Sequence, residues 1–136
     1  MNGIAYFVDE DTLPLGKALA AVRDDVTFPG HSKCPIPRGT KDPQWLPTVG
    51  SEGWLLISRD KCLRTRPAEK MRLIDAGIRA VVLTSAGNMS RWEQLRLLVR
   101  YWDQVQGLLE SPGPFIYSLT SRGVGAQPLR DPRFEG

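Results

Sequence analysis

Five short runs of β-forming residues recur along the chain, and segments with helical spacing lie between them. The runs are Ile4 to Val8, Val26-Thr27-Phe28, Trp54 to Ser58, Arg79 to Thr84 and Phe115 to Leu119. Most are continuously apolar and do not alternate with polar residues. Strands of that kind are covered on both faces, as in a parallel sheet whose crossovers carry helices to either side. The order β-α-β-loop-α-β-α-β-α-β therefore predicts an α/β domain with a mainly parallel central sheet flanked by helices. With 136 residues, the chain suits one domain and one core.

The first helix is expected from Leu13 to Val22, with Leu15, Ala18, Leu19 and Val22 on one face, Thr12 as its cap and Pro14 in its first turn. Five Pro and Gly residues between Pro29 and Gly39 predict a long loop. Asp42 reads as the N-cap of a helix with Pro43 at its first position, running toward Gly50 and made irregular by Pro47. Pro67 to Ala76 is expected to be a helix closed by Gly77. The longest helix is expected from Ser90 to Leu109, opened by a Ser90–Glu93 capping box, with a stripe of Trp92, Leu95, Val99, Trp102, Val105 and Leu109. The domain is read as residues 1–120, followed by a polar surface tail over 121–136. The four tryptophans, at 45, 54, 92 and 102, are read as core residues, and one exposed on the long helix would instead mark an interface.

Several chemistries are set aside by residue type. One histidine, His31, and two cysteines, Cys34 and Cys62, lack the spacing of a zinc site, and the cysteines are read as free thiols. There is no Ser–His triad and no Gly-rich phosphate loop. No apolar run is long enough to span a membrane and no secretory signal is visible, so the cytoplasm is the expected location.

In open parallel sheets, ligands bind beyond the strand C-termini, where strand order reverses. Asp9 and Asp60 each follow a strand, and Asp42 opens the helix leading into the strand before Asp60. Carboxylates gathered at one rim repel unless a cation sits between them, and a hard ion such as Mg²⁺ or Mn²⁺ takes oxygen ligands. Asp9, Asp11, Asp42 and Asp60 are thus the candidate metal ligands, with Asp9, Asp42 and Asp60 as the catalytic acids. Basic residues at Arg59, Lys61, Arg64, Arg66, Lys70 and Arg72 surround Asp60, and the first four are candidates for a phosphate backbone. The net charge of +3 adds little to that argument.

Three stretches, Phe7 to Asp11, Lys41 to Leu46 and Gly53 to Lys61, together resemble the motif series of PIN-like domains over roughly residues 4–84. The likeness is greatest to the VapC-type toxins of toxin–antitoxin pairs, whose Arg-x-Arg-x-x-Glu pattern matches Arg64, Arg66 and Glu69. The resemblance implies a PIN-like three-layer domain and a Mg²⁺- or Mn²⁺-dependent endoribonuclease. Its expected partners are an RNA substrate and a cognate antitoxin, with a homodimer also considered. It matches Asp9, Asp42 and Asp60 to the family's acids and Ser58 to a supporting hydroxyl. The chain departs from larger PIN domains in having no acid between Leu13 and Val22, where Glu10, Asp11 or Glu69 would have to substitute. Two other readings compete. One is a catalytically inactive PIN-like module that binds RNA or protein. The other is a haloacid-dehalogenase-like phosphatase, drawn from Asp9-Glu10-Asp11-Thr12 and Thr84 or Ser85, which lacks the downstream acidic pair.

Overall fold

A computed structural model describes residues 3–59, 66–83 and 89–127, with only the backbone of Asp42, Pro43, Ala126 and Gln127. Its elements are β1 (Tyr6–Val8), a 3-10 turn (Glu10–Thr12), α1 (Leu13–Val22), β2 (Val26–Thr27), α2 (Asp42–Glu52), β3 (Leu55–Ser58), α3 (Pro67–Asp75) and β4 (Arg79–Leu83). They continue with α4 (Arg91–Arg100), α5 (Trp102–Gly107), a second 3-10 turn (Leu108–Glu110), β5 (Phe115–Thr120) and β6 (Gly123–Gln127).

The strands form one sheet in the order β2-β1-β3-β4-β5-β6, parallel except for β6. Side chains on successive residues point to opposite faces, so each strand feeds two cores. Tyr6, Val8, Leu55, Ile57, Val81, Leu83 and Leu119 pack with α1, α4 and α5. Phe7, Leu56, Ala80, Val82 and Ile116 pack with Trp45, Leu46, Val49 and Leu73 of α2 and α3. This is the three-layer α/β arrangement expected from the continuous apolar strands. Among the described residues, no helix is long and apolar enough to cross a membrane.

Local chemistry changes several element boundaries. Lys41, not Asp42, is the N-cap residue of α2, so Asp42 occupies the first helical position and Pro43 the second. Pro47 is held inside α2, which continues to Glu52 and ends on Gly53 in the left-handed region. Thr12 does not cap α1 through its side chain, because that hydroxyl is donated elsewhere. Ser90 caps α4, half of the expected capping box: its Oγ accepts from the Glu93 amide at 3.1 Å and donates to the Glu93 carboxylate at 3.3 Å.

The long helix is broken at Tyr101 into α4, α5 and the 3-10 turn. The buried face differs from the expected stripe. Gln94, Leu97, Leu98, Val105 and Leu108 point inward, whereas Trp92 and Val99 of the expected stripe are 65% and 59% exposed. Trp45 and Trp54 are buried and Trp102 is half-buried, so the tryptophan reading holds for Trp45 and Trp54 but not for Trp92. Beyond β5, the expected surface tail instead begins with a strand. A two-residue turn, Ser121-Arg122, returns the chain antiparallel, pairing Thr120 with Gly123 and Leu119 with Val124. Residues 128–136 lie outside the described residues.

Two positions are closely fitted. Gly50 faces the next helix so tightly that an added Cβ would strike the backbone carbonyl of Ala76. Gly→Ala in an open helix gains about 1 kcal/mol from propensity, but overpacking against backbone costs about 1–3 kcal/mol. Gly50→Ala is therefore expected to lower stability in urea unfolding, whereas a gain would show that α2 and α3 can separate at no cost.

Tyr6 is fully buried, and its hydroxyl has no hydrogen-bond partner among the described residues. Burial, reinforced by the Asp25 carboxylate and opposed by Arg23, pushes its pKa up to about 12 from 10.0. The folded state thus holds the phenol proton more tightly than the unfolded chain. Its stabilising contribution is complete below pH 10 and declines as pH rises toward 12. Tyr6→Phe is expected to keep or raise stability at neutral pH by about 1 kcal/mol, and to lose stability less than the wild type over that alkaline interval in pH-dependent thermal melts.

Candidate active site

Strand order places the candidate site. The chain passes from β1 through α1 to β2 on one side, then through α2 to β3 on the other. The order reverses between β1 and β3, which opens a crevice at their C-terminal ends. Register fixes what lies there: Tyr6, Phe7 and Val8 pair with Leu55, Leu56 and Ile57. The pairing continues one step, since the Asp9 amide donates to the Ile57 carbonyl at 3.0 Å.

Asp9 is thus the first residue past β1 and points to the same face as Phe7. It is 5% exposed. Its neighbour Ser58 is the last residue of β3 and fully buried, and the Ser58 hydroxyl donates to Asp9 Oδ2 at 3.2 Å. A buried carboxylate is costly without polar partners, so this donor helps to fix the carboxylate's orientation.

Topology sets the direction of α2, whose first residue is Asp42. The helix hands the chain to the start of β3 and so runs antiparallel to the strands, with its N-terminus over their C-terminal ends. Contact between the Phe7 and Trp45 rings, 5.1 Å between centroids, seats the first turn of α2 beside the end of β1. The Asp42 side chain lies outside the described residues, as do Asp60, Lys61 and Arg64. By sequence, Asp60 follows the end of β3 by two positions. Arg59 is exposed directly after β3, and Arg66 is exposed at the N-cap position of α3. Among the described residues, no three His, Cys, Asp or Glu side chains gather as a metal-binding group. Asp9 is the described carboxylate of the expected set that lies at the crevice, and its oxygen donors match those a hard divalent ion takes.

The turn after Asp9 is held by contacts that the sequence did not announce. The Thr12 amide donates to the Asp9 carbonyl at 3.1 Å. The buried Thr12 hydroxyl donates to Gln94 Oε1 at 3.1 Å, and Gln94 Nε2 donates to the Met89 carbonyl at 3.3 Å. Gln94 is 1% exposed. The signal for it was available: Gln94, Leu97, Leu98 and Val105 share helical spacing, so a polar residue among them needs a buried partner. Glu10 Oε1 accepts from the Gly39 amide at 2.8 Å, tying the long loop to the acidic turn. Asp11 is exposed on that turn. Glu69 pairs with Arg72 at 3.6 Å within α3. Glu10 and Glu69, two of the acids considered as substitutes, are therefore engaged in interactions of their own.

His31 Nδ1 lies 3.0 Å from the Thr27 hydroxyl, and the Cys34 thiol is pushed up in pKa by burial. Cys34 is a free thiol, and Cys62 lies outside the described residues.

A search of curated proteins and a search of solved structures find no match. The profile of the PIN-like domain family matches residues 4–85, which is more than half of the chain and spans β1 through β4. Together with the mainly parallel three-layer sheet, that match establishes that the chain belongs to the PIN-like domain family, whose domains are generally nucleases.

Proposed function

We propose that the chain is a metal-dependent endoribonuclease of the VapC type, the toxin of a toxin–antitoxin pair, hydrolysing RNA phosphodiester bonds at the β1–β3 crevice. One observation carries the proposal: a buried carboxylate, Asp9, oriented by Ser58 where the strand order reverses. In this reading Asp9, Asp42 and Asp60 are the catalytic acids, and with Asp11 they supply oxygen ligands to Mg²⁺ or Mn²⁺. The ion, when bound, supplies an activated water and neutralises charge at the scissile phosphate. Ser58 keeps the Asp9 carboxylate facing the crevice. Arg59, Lys61, Arg64 and Arg66 hold the RNA backbone by phosphate contacts. The antitoxin is the cognate protein partner, and the cytoplasm is the proposed site of action.

A second reading, a catalytically inactive module that binds RNA or protein, draws on the absence of any acid in Leu13–Val22. Cleavage assays separate the two. An RNA substrate should be cut with Mg²⁺ or Mn²⁺ and left intact with EDTA, and p-nitrophenyl phosphate should not be turned over. Asp9→Asn is expected to reduce cleavage to background while the circular dichroism spectrum is retained. Metal-independent binding without cleavage would favour the inactive module, and p-nitrophenyl phosphate turnover would favour the phosphatase.

The basic segment has its own test. Removing one arginine–phosphate pairing should lower the slope of log K against log salt by about 0.7 for single-stranded RNA. Arg64→Ala combined with Arg66→Ala is expected to weaken RNA binding and flatten that slope. A slope equal to the wild type's would remove these two residues from the phosphate-binding set.

A further inference from the structure

Two helices of the layer formed by α1, α4 and α5 turn apolar residues outward. On α4, Trp92, Leu95 and Val99 follow i, i+3, i+7 spacing, with Trp92 65% exposed and Val99 59% exposed. On α1, Pro14, Ala18 and Val22 follow i, i+4, i+8 spacing, and Val22 is 80% exposed. The helices lie side by side. A groove of about 200 Å³ between them is lined by Pro14, Ala18, Trp92 and Leu95. A larger depression of about 630 Å³ continues along α4 past Trp92, Leu95, Val99, Arg96 and Arg100. Trp92 lines both.

The charges along the exposed side of α4 are mostly basic. Arg91, Arg96 and Arg100 are exposed, and none has an ion-pair partner among the described residues. Glu93, the acid of α4, also lines the larger depression, and its carboxylate accepts from the Ser90 hydroxyl. An exposed apolar stripe at helical spacing is the mould for another amphipathic helix, read through i, i+3 and i+7 anchors. Unpaired arginines beside it select acids on that helix's flanks.

We propose that the α1–α4 face docks an amphipathic helix of a different protein chain, apolar along one side and acidic on its flanks, with Trp92 as the central anchor. The charges argue against the other occupants. A second copy of this face brings the same arginines and one acid, Glu93, so it offers them fewer carboxylates than an acidic helix does. RNA would pair with the arginines and stack on one ring, but it would leave Leu95, Val99 and Ala18 without apolar partners. The proposal goes beyond the nuclease reading and does not depend on it.

The test uses the full chain and two labelled helical peptides of about 14 residues, which span about 21 Å. Both carry a leucine face, one with glutamate flanks and one with lysine flanks. The glutamate peptide should bind more tightly, and added salt should narrow the difference. Trp92→Ala should weaken that binding by about tenfold or more, as should Val99→Asp. Both sites are exposed, so circular dichroism should be unchanged. Arg96→Glu with Arg100→Glu should reverse the preference toward the lysine peptide. Equal binding of the two peptides, or binding indifferent to Trp92→Ala, overturns the proposal. Concentration-dependent dimerisation abolished by Trp92→Ala would assign the face to a second copy and overturn it as well. So would a Trp92-dependent affinity for single-stranded oligouridine in place of the peptide.

Discussion

The pairing of β1 with β3 sets the position of everything that the candidate site contains. Three residue pairs define it, Tyr6 with Leu55, Phe7 with Leu56 and Val8 with Ile57, and all six side chains are fully buried. A strand buried on both faces tolerates no slip. A shift of one residue would send Phe7 into the α1 layer and Val8 into the α2 layer, and would carry Asp9 away from Ser58. The packing of Phe7 against Trp45 and Trp54 on one face, and of Tyr6 against Trp102 on the other, opposes such a shift. The crevice exists because α1 leaves this pair on one side of the sheet and α2 returns on the other.

The acidic turn is fastened from three directions. Ser58 holds the Asp9 carboxylate from the sheet, Gln94 holds Thr12 from α4, and Gly39 holds Glu10 from the long loop. A rim built this way is rigid by second contacts, so that geometry does not depend on the carboxylates alone. It also links the turn to α4, whose inner face carries Gln94 and whose outer face carries Trp92.

The fold was legible because the strands are short, apolar and separated by helical segments, and that pattern admits few arrangements. Asp9 was legible for the same reason, since a strand end followed by acids marks the rim. What escaped the sequence was rotational. At about 100° per residue, Trp92 and Val105 stand about 140° apart on one helix, so the expected stripe ran across two faces, and the buried one follows Gln94, Leu98 and Val105. Thr12 looked like a cap because its position is right for one, yet a buried glutamine competed for its hydroxyl. The strand Gly123–Gln127 was hidden by glycines, which lack side chains to signal a pleat and find their place only by pairing with β5. Asp42 was assigned one position early because helix ends are set by backbone angles at Lys41, which composition does not reveal.

Among the described residues, the sheet's two margins are unequal. On one side it stops at β2, two residues long, and on the other at β6, with five. A foreign strand needs a run of open amides and carbonyls to lie against, and β2 offers too few. Any growth of this sheet by strand addition is confined to one margin. Two molecules could join there and then have no second margin to extend from, so stacking into open-ended fibrils by this route ends at a pair.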